Sequence, residues 1–180
     1  MDIIFYTGLI GSLILVVGAA WTNIGDPKHP AKSVKNWLFA IGGLVMLLYS
    51  ILGYQNGGAI FFVFLETLIV IASLMMMLHV DDRIDTAVIS VSGLGLIIWS
   101  LILFEGYNTV CFILGLVAIG MGYAFDNGTI RRDVALTVGS ALIALFSYIE
   151  MSWMFFWLNL FFAIFSGYYL VKNLRKHHKV

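Results

Sequence analysis

One carboxyl group, that of Glu66, lies within a long apolar stretch, where ionisable side chains are rare. The residues Phe61-Phe62-Val63-Phe64-Leu65 precede it, and apolar residues dominate the sequence as far as Val80. A carboxylate at the centre of a bilayer costs about 2.5 kcal/mol or more, so it normally faces a cavity or a partner and indicates a functional site. Glu66 could contact a polar solute or carry a proton. A purely structural interpretation is that Glu66 is protonated and hydrogen-bonded to a neighbouring helix.

An asparagine and several aromatic residues form a second group of candidates. Asn159 lies in the last apolar stretch, two residues after Trp157, and Phe62 lies four residues before Glu66. Flat rings beside an amide and a carboxyl group suit a sugar, a nucleoside or a pyridine ring. Trp153 instead fits the aromatic belt expected at a membrane surface. Glu66, Asn159, Trp157 and Phe62 are therefore the predicted solute-binding residues.

The residues that enzymes use are absent or badly placed. The four histidines lie at or beyond the ends of the apolar stretches, and none has the spacing of a metal site. The sequence also has no Gly-x-Ser-x-Gly elbow or phosphate-binding Walker loop. With one cysteine, Cys111, it can form no internal disulfide. We predict no enzymatic activity, no cofactor and no metal.

The acidic cluster Asp81-Asp82-Arg83-Ile84-Asp85 resembles part of a metal-dependent phosphotransferase site. Such a site needs further paired aspartates to hold metal and phosphate, and none follows. We expect instead that Asp85 caps the fourth helix and that its neighbours are solvated loop charges.

The composition of the chain indicates the class of protein that contains these residues. The chain has 180 residues, 61% of them hydrophobic and 11% charged, whereas soluble domains have about 25% charged residues. Its net charge is zero, so no overall field favours nucleic acid. These values exclude an ordinary soluble enzyme and indicate an all-α membrane protein in contact with the lipid bilayer.

Seven stretches are long enough to cross the roughly 30 Å hydrocarbon core as helices of about 20 residues. They lack the alternation of apolar and polar residues typical of membrane barrels. The predicted spans are Ile3–Trp21, Asn36–Gly53, Ala59–Val80, Ile84–Phe104, Val110–Phe125, Val134–Ile149 and Ser152–Val171.

The basic residues indicate the orientation of these spans. With seven spans, all 10 lysines and arginines fall on one side, in or beside the loops 22–35, 81–83 and 126–133 and the C-terminal tail. The opposite side has Asp2, Glu105 and Glu150. The positive-inside rule then places the N-terminus outside and the C-terminus in the cytoplasm. We expect the membrane to be the plasma (inner) membrane.

The first three spans resemble the last three in sequence. The order of glycines, aromatic residues and one polar residue is similar over three spans, which indicates an internal repeat. Both halves begin on the same side, so the repeats are parallel and the fourth span restores the orientation. We predict a repeat over 1–80, a linker helix over 81–108, a second repeat over 109–172 and a basic tail over 173–180. The matched residues are Gly11 with Gly115, Gly18 with Gly122, Gly42 with Gly139, Ser50 with Ser147, Phe62 with Phe155, Glu66 with Asn159 and Ser73 with Ser166.

This layout of three, one and three helices resembles the SWEET and PQ-loop transporter superfamily. The best local matches are Lys32-Ser33-Val34-Lys35-Asn36-Trp37 before the second span and Trp157-Leu158-Asn159 in the last span. The Pro-Gln pair of the superfamily is absent, and both prolines, Pro27 and Pro30, lie in the first loop. The scarcity of proline makes the resemblance closer to the proline-poor Pnu-type vitamin-precursor transporters, or to an uncharacterised branch, than to the SWEET sugar carriers. It implies that Asn159 and Glu66 line a solute pocket near mid-membrane.

We therefore expect a carrier that moves a small polar solute by facilitated diffusion and alternating access. The solute could be a sugar, a nucleoside or a vitamin precursor, and proton coupling and a homo-oligomeric state stay open. The alternative is a non-transporting membrane scaffold or accessory subunit, in which Glu66 and the glycines mediate assembly. A lipid-modifying enzyme is a third and weaker alternative.

Overall fold

Seven apolar helices make up the protein, as the sequence predicts. The computed structural model describes residues 3–21, 32–78, 81–125 and 129–177, and this part of the chain contains no strand. All seven helices are long and apolar enough to cross a membrane. The predicted all-α, seven-helix class of fold is thus confirmed. The helices are α1 Ile3–Ala20, α2 Val34–Gln55, α3 Phe61–Leu78, α4 Asp82–Ile102, α5 Tyr107–Ala124, α6 Ile130–Ile149 and α7 Trp153–His177.

Several helices extend beyond the apolar stretches into polar sequence. The Ser33 hydroxyl accepts a hydrogen bond from the backbone N–H of Asn36 at 3.4 Å, so α2 begins before its apolar part. The Thr129 hydroxyl accepts one from the N–H of Arg132 at 3.3 Å, and α6 begins there. Hydroxyl side chains at these positions satisfy backbone donors that the first turn leaves free. Hydropathy alone therefore placed these starts too late.

The beginning of α4 corrects the prediction for the acidic cluster. The helix starts at Asp82, and the Asp81 carboxylate accepts a hydrogen bond from the N–H of Arg83 at 3.0 Å. The prediction that Asp85 caps this helix was wrong, because Asp85 already lies inside it. An aspartate just before a first turn satisfies the free backbone donors there. The acidic cluster therefore contains the start of α4, which lies about one turn earlier than a cap at Asp85 would place it.

Contacts divide the chain into two compact units, residues 1–85 and 86–180. In the first unit α1 packs on α2 and α2 packs on α3. In the second unit α5 packs on α6 and α6 packs on α7. The division falls in the first turn of α4. Each unit thus contains three helices that pack in chain order.

Glycines bring the first two of these three helices unusually close in the first unit. A Cβ atom on Gly42 of α2 would lie 2.8 Å from Cγ of Leu15 in α1. One on Gly11 of α1 would lie 2.9 Å from Cγ of Met46 in α2. Real Cβ atoms do not approach other atoms so closely, so this contact requires glycine.

The second unit has the same contacts at the positions that the repeat matches. A Cβ atom on Gly139 of α6 would lie 2.7 Å from Cγ1 of Ile119 in α5. One on Gly115 of α5 would lie 2.8 Å from Cδ1 of Ile143 in α6. With the shifts that match the glycines, Leu15 corresponds to Ile119 and Met46 to Ile143. The two helix pairs therefore have the same antiparallel register at these glycines.

The glycines that face the third helix of each unit make less close contacts than those between the first two helices. A Cβ atom on Gly43 of α2 would lie 3.4 Å from Cγ2 of Val70 in α3. One on Gly167 of α7 would lie 3.7 Å from Cγ2 of Thr137 in α6. Both distances are ordinary van der Waals contacts. Glycine-dependent contact thus joins α1 to α2 and α5 to α6, while α3 and α7 are held by ordinary packing.

A side-chain hydrogen bond joins the first turn of α6 to the C-terminal part of α7. The Asn173 amide donates to the carboxylate of Asp133 at 2.7 Å, and Asp133 is buried. We expect Asn173→Ala to lower the free energy of unfolding by about 1–3 kcal/mol, because it leaves a buried carboxylate without this donor. The matched control is Asn108→Ala, whose amide donates to the exposed Glu150 at 3.3 Å. Unfolding in detergent should show a loss in Asn173→Ala at least twice that in Asn108→Ala. Equal losses would contradict the importance of burial.

Candidate functional site

The carboxyl group of Glu66 is completely enclosed in the protein. Its side chain is 0% exposed, and it lies in α3, the helix with the largest buried share of the seven. Phe62, one turn earlier, is also buried. Glu66 therefore lies within an apolar helix, but in its second turn and not at the centre predicted from the sequence. Burial of a carboxyl group is costly unless hydrogen bonds or an opposite charge compensate for the lost water.

Neither oxygen of Glu66 has a hydrogen-bond partner among the residues that the structure describes. The Ser73 hydroxyl, also in α3 and 1% exposed, lacks a partner within the same part of the chain. Other hydroxyls in these helices bond to their own backbone, as Ser50 does to the carbonyl of Leu47 at 2.8 Å. Buried polar groups are nearly always hydrogen-bonded, so two exceptions on one helix are unusual.

The unpartnered groups share the face of α3 that is directed towards α2. Ile69 and Val70 are the α3 residues nearest to Gly43 of α2. Residues three or four apart lie on one face of a helix. Glu66 precedes this pair by three and four residues, and Ser73 follows it by the same spacing. Both groups therefore lie on the side of α3 that packs against α2.

Asn159 occupies the position in α7 that the repeat matches to Glu66, but its environment differs. It is 4% exposed, and its amide donates to the carbonyl oxygen of Phe155, one turn earlier, at 2.9 Å. An amide carries N–H donors, whereas an ionised carboxylate can only accept. Asn159 thus satisfies its donor within its own helix, and Glu66 does not satisfy its acceptors in the described structure.

The two predicted aromatic residues have different surroundings. Phe62 is 5% exposed and corresponds in the repeat to Phe155, which is 2% exposed. Trp157 is 54% exposed, and its indole contacts the ring of Phe156 edge-on, with centroids 5.1 Å apart. Because Trp157 and Asn159 are two residues apart, they point to different sides of α7. The structure therefore does not bring Trp157 next to Asn159.

Ser73 is the residue that the sequence-based prediction left out. A serine in a helix commonly bonds to its own backbone, so residue type alone gives no signal. Its spacing does give one, because seven residues separate it from Glu66 and place it two turns further on the same face. The structure adds that its hydroxyl is buried without a partner in the described residues.

Metal ligands do not gather in the part of the chain that the structure describes. No group of three or more His, Cys, Asp or Glu side chains there could hold a metal ion. Cys111 is half-buried and donates to the carbonyl of Leu142 at 3.4 Å, which gives its thiol a packing role. The histidines His29, His79 and His178 lie outside the described residues.

No protein-family model matches the chain, and no curated protein or solved structure is significantly similar to it.

Proposed function

We propose that the protein is a membrane carrier for a small polar solute. Glu66, Phe62 and Asn159 are the proposed solute contacts, and the solute crosses by alternating access and facilitated diffusion. The observation that carries the proposal is the carboxyl group of Glu66, which is fully buried in α3 without a hydrogen-bond partner in the described residues. An intramembrane ionisable residue that packing does not satisfy is typical of a solute or ion pathway.

The repeat supports the same proposal. The proposed arrangement is two parallel three-helix repeats joined by a linker helix, which is one of the recognised designs of secondary transporters. The matching glycine contacts of α1–α2 and α5–α6 agree with it. The third helix of each unit carries one of the two polar candidates, Glu66 in α3 and Asn159 in α7, so the proposed contacts lie at matched positions of the two proposed repeats. Trp157 is not included, because its indole lies on the exposed side of α7.

The remaining features of the proposal follow from the sequence. The carrier is SWEET-like in layout and belongs in a plasma membrane, with its N-terminus outside and its basic C-terminal tail in the cytoplasm. Sugars, nucleosides and vitamin precursors are the solute classes that suit an amide, a carboxyl group and an aromatic ring. The competing function is a non-transporting scaffold, in which Glu66 contributes to assembly alone.

A thermal-stability screen of the purified protein tests whether these residues bind a solute. A ligand that binds the folded state alone stabilises it by about 2.7 kcal/mol at a hundredfold excess over Kd. We expect one compound from the sugars, nucleosides or vitamin precursors to raise the melting temperature. The Asn159→Ala variant should lose that shift, while Asn108→Ala, at an exposed amide, should keep it. A shift that both variants keep would place the binding site elsewhere.

A further inference from the structure

Three buried residues lie one above another, one and two turns apart, on the side of α3 that packs on α2. We call this side the α3 polar face. They are Phe62, Glu66 and Ser73, and the last two lack hydrogen-bond partners in the described residues. Glu66 and Ser73 are two turns apart, about 10 Å along the axis at roughly 1.5 Å per residue. The face therefore offers a carboxyl group and a hydroxyl at a fixed separation, with an aromatic ring one turn before the carboxyl group.

No positive charge on α1, α2 or α3 lies close to this carboxyl group. Apart from Glu66, the sequences of α1, α2 and α3 contain one charged residue, Lys35. Lys35 lies in the first turn of α2, whereas Glu66 lies in the second turn of α3, just after the short connection from the end of α2. In an antiparallel pair these positions are at opposite ends. A buried carboxylate is normally paired, so its partner must come from elsewhere.

The chemistry of the face selects the kind of partner. An ionised carboxylate accepts hydrogen bonds and attracts positive charge, and an aromatic ring next to it attracts a cation through its π face. A calcium ion takes about six to eight oxygen ligands, which one carboxylate and a distant hydroxyl do not supply. An organic ammonium ion needs fewer ligands and brings its own N–H donors. The hydroxyl of Ser73 then suits a polar group at the other end of the molecule.

The second repeat shows that this chemistry is specific to the first. The matched residue Asn159 already donates to its own helix at 2.9 Å, and it carries no charge. The contact of α3 with α2 is of ordinary van der Waals type at Gly43, so glycine-dependent packing does not close the α3 polar face there.

We propose that the α3 polar face binds an organic ammonium ion, with Glu66 as the counter-charge, Phe62 beside the ammonium group and Ser73 bonded to a polar group at the far end. This inference names the solute class of the proposed carrier. It rests on the proposed function only in taking the bound ammonium ion to be the molecule that is transported. Binding itself is independent of transport.

The test compares aminopentanol with pentanediol, which has the same length and no charge. Thermal unfolding of the full chain in detergent at neutral pH should show a rise in melting temperature of about 5 °C with saturating aminopentanol and less than a quarter of that with pentanediol. Glu66→Gln should abolish the rise. Glu105→Gln, the same change at an exposed carboxylate, should keep it. Ser73→Ala should weaken aminopentanol binding about fivefold and leave pentylammonium binding unchanged, since one neutral hydrogen bond is lost.

The outcomes separate this inference from the proposed function. Equal shifts with aminopentanol and pentanediol, or a shift that Glu66→Gln keeps, would overturn the inference. The melting temperature of ligand-free Glu66→Gln shows whether the variant is folded, and a folded variant without the shift supports the inference. Aminopentanol that binds but does not enter proteoliposomes would reject the carrier and leave the binding site in place. Saturable entry of a neutral solute without ammonium binding would support the carrier and overturn the ammonium-binding site.

Discussion

Replacing Gly139 with alanine is expected to lower the free energy of unfolding by about 1–3 kcal/mol, because the added Cβ has no room between α6 and α5. That atom would lie 2.8 Å from the backbone nitrogen of Ile119 and 2.7 Å from Cγ1 of the same residue. A flexible side chain could rotate away, but a backbone atom cannot, so the whole of α5 must shift. Reversible unfolding in mixed detergent measures the loss.

The first unit offers a matched pair of adjacent glycines as the control for this prediction. A Cβ on Gly42 would lie 2.8 Å from Leu15, whereas one on Gly43 would lie 3.4 Å from Val70. We expect Gly42→Ala to destabilise the protein and Gly43→Ala to be neutral or to gain up to about 1 kcal/mol from helix propensity. Equal effects at the two positions would show that helix propensity, not close packing, determines the role of these glycines.

Replacing Glu66 with leucine is expected to stabilise the protein by about 1–3 kcal/mol and to abolish transport. The carboxyl group is buried, and its oxygens lack hydrogen-bond partners in the described residues, so its removal relieves a desolvation cost and breaks no described hydrogen bond. Leucine is similar in size and keeps the packing of α3. A residue retained at the expense of stability is characteristic of a functional site.

This experiment separates the two interpretations of Glu66. If Glu66 holds helices or subunits together, Glu66→Leu should lower the melting temperature and change the oligomeric state. If it contacts a solute, the melting temperature should rise while uptake falls at least tenfold. Glu105→Leu is the control, because Glu105 is exposed and the same change there should leave uptake unchanged.

The sequence predicts the helices well because each must contain about 20 apolar residues in succession to cross the bilayer. Their ends were harder to place, since the hydroxyls of Ser33 and Thr129 start helices in polar sequence that hydropathy does not distinguish from loops. The proposed repeat rests on Gly11, Gly42 and their matches, because close helix packing restricts those positions to the smallest residue.

The candidate site was predicted less completely than the helices. Glu66 could be identified from its charge alone, since a carboxyl group in an apolar helix is costly. Ser73 could not be identified from its residue type, because a serine hydroxyl normally bonds to its own helix. Its spacing from Glu66 indicates a shared face, and the structure adds that its hydroxyl lacks a partner in the described residues. The prediction of Trp157 rests on its position two residues before Asn159. Residues two apart in a helix point in different directions, and the indole of Trp157 lies on the exposed side of α7.

Solute uptake by proteoliposomes tests the central claim, that this protein is a carrier, most directly. Vesicles with the purified protein would be compared with protein-free vesicles for sugars, nucleosides, vitamin precursors and aminopentanol, each measured separately. We expect at least one of these solutes to enter with saturable kinetics, at a rate that Glu66→Leu lowers at least tenfold and Glu105→Leu leaves unchanged. Entry of every solute at the rate of protein-free vesicles would contradict the carrier and favour a scaffold.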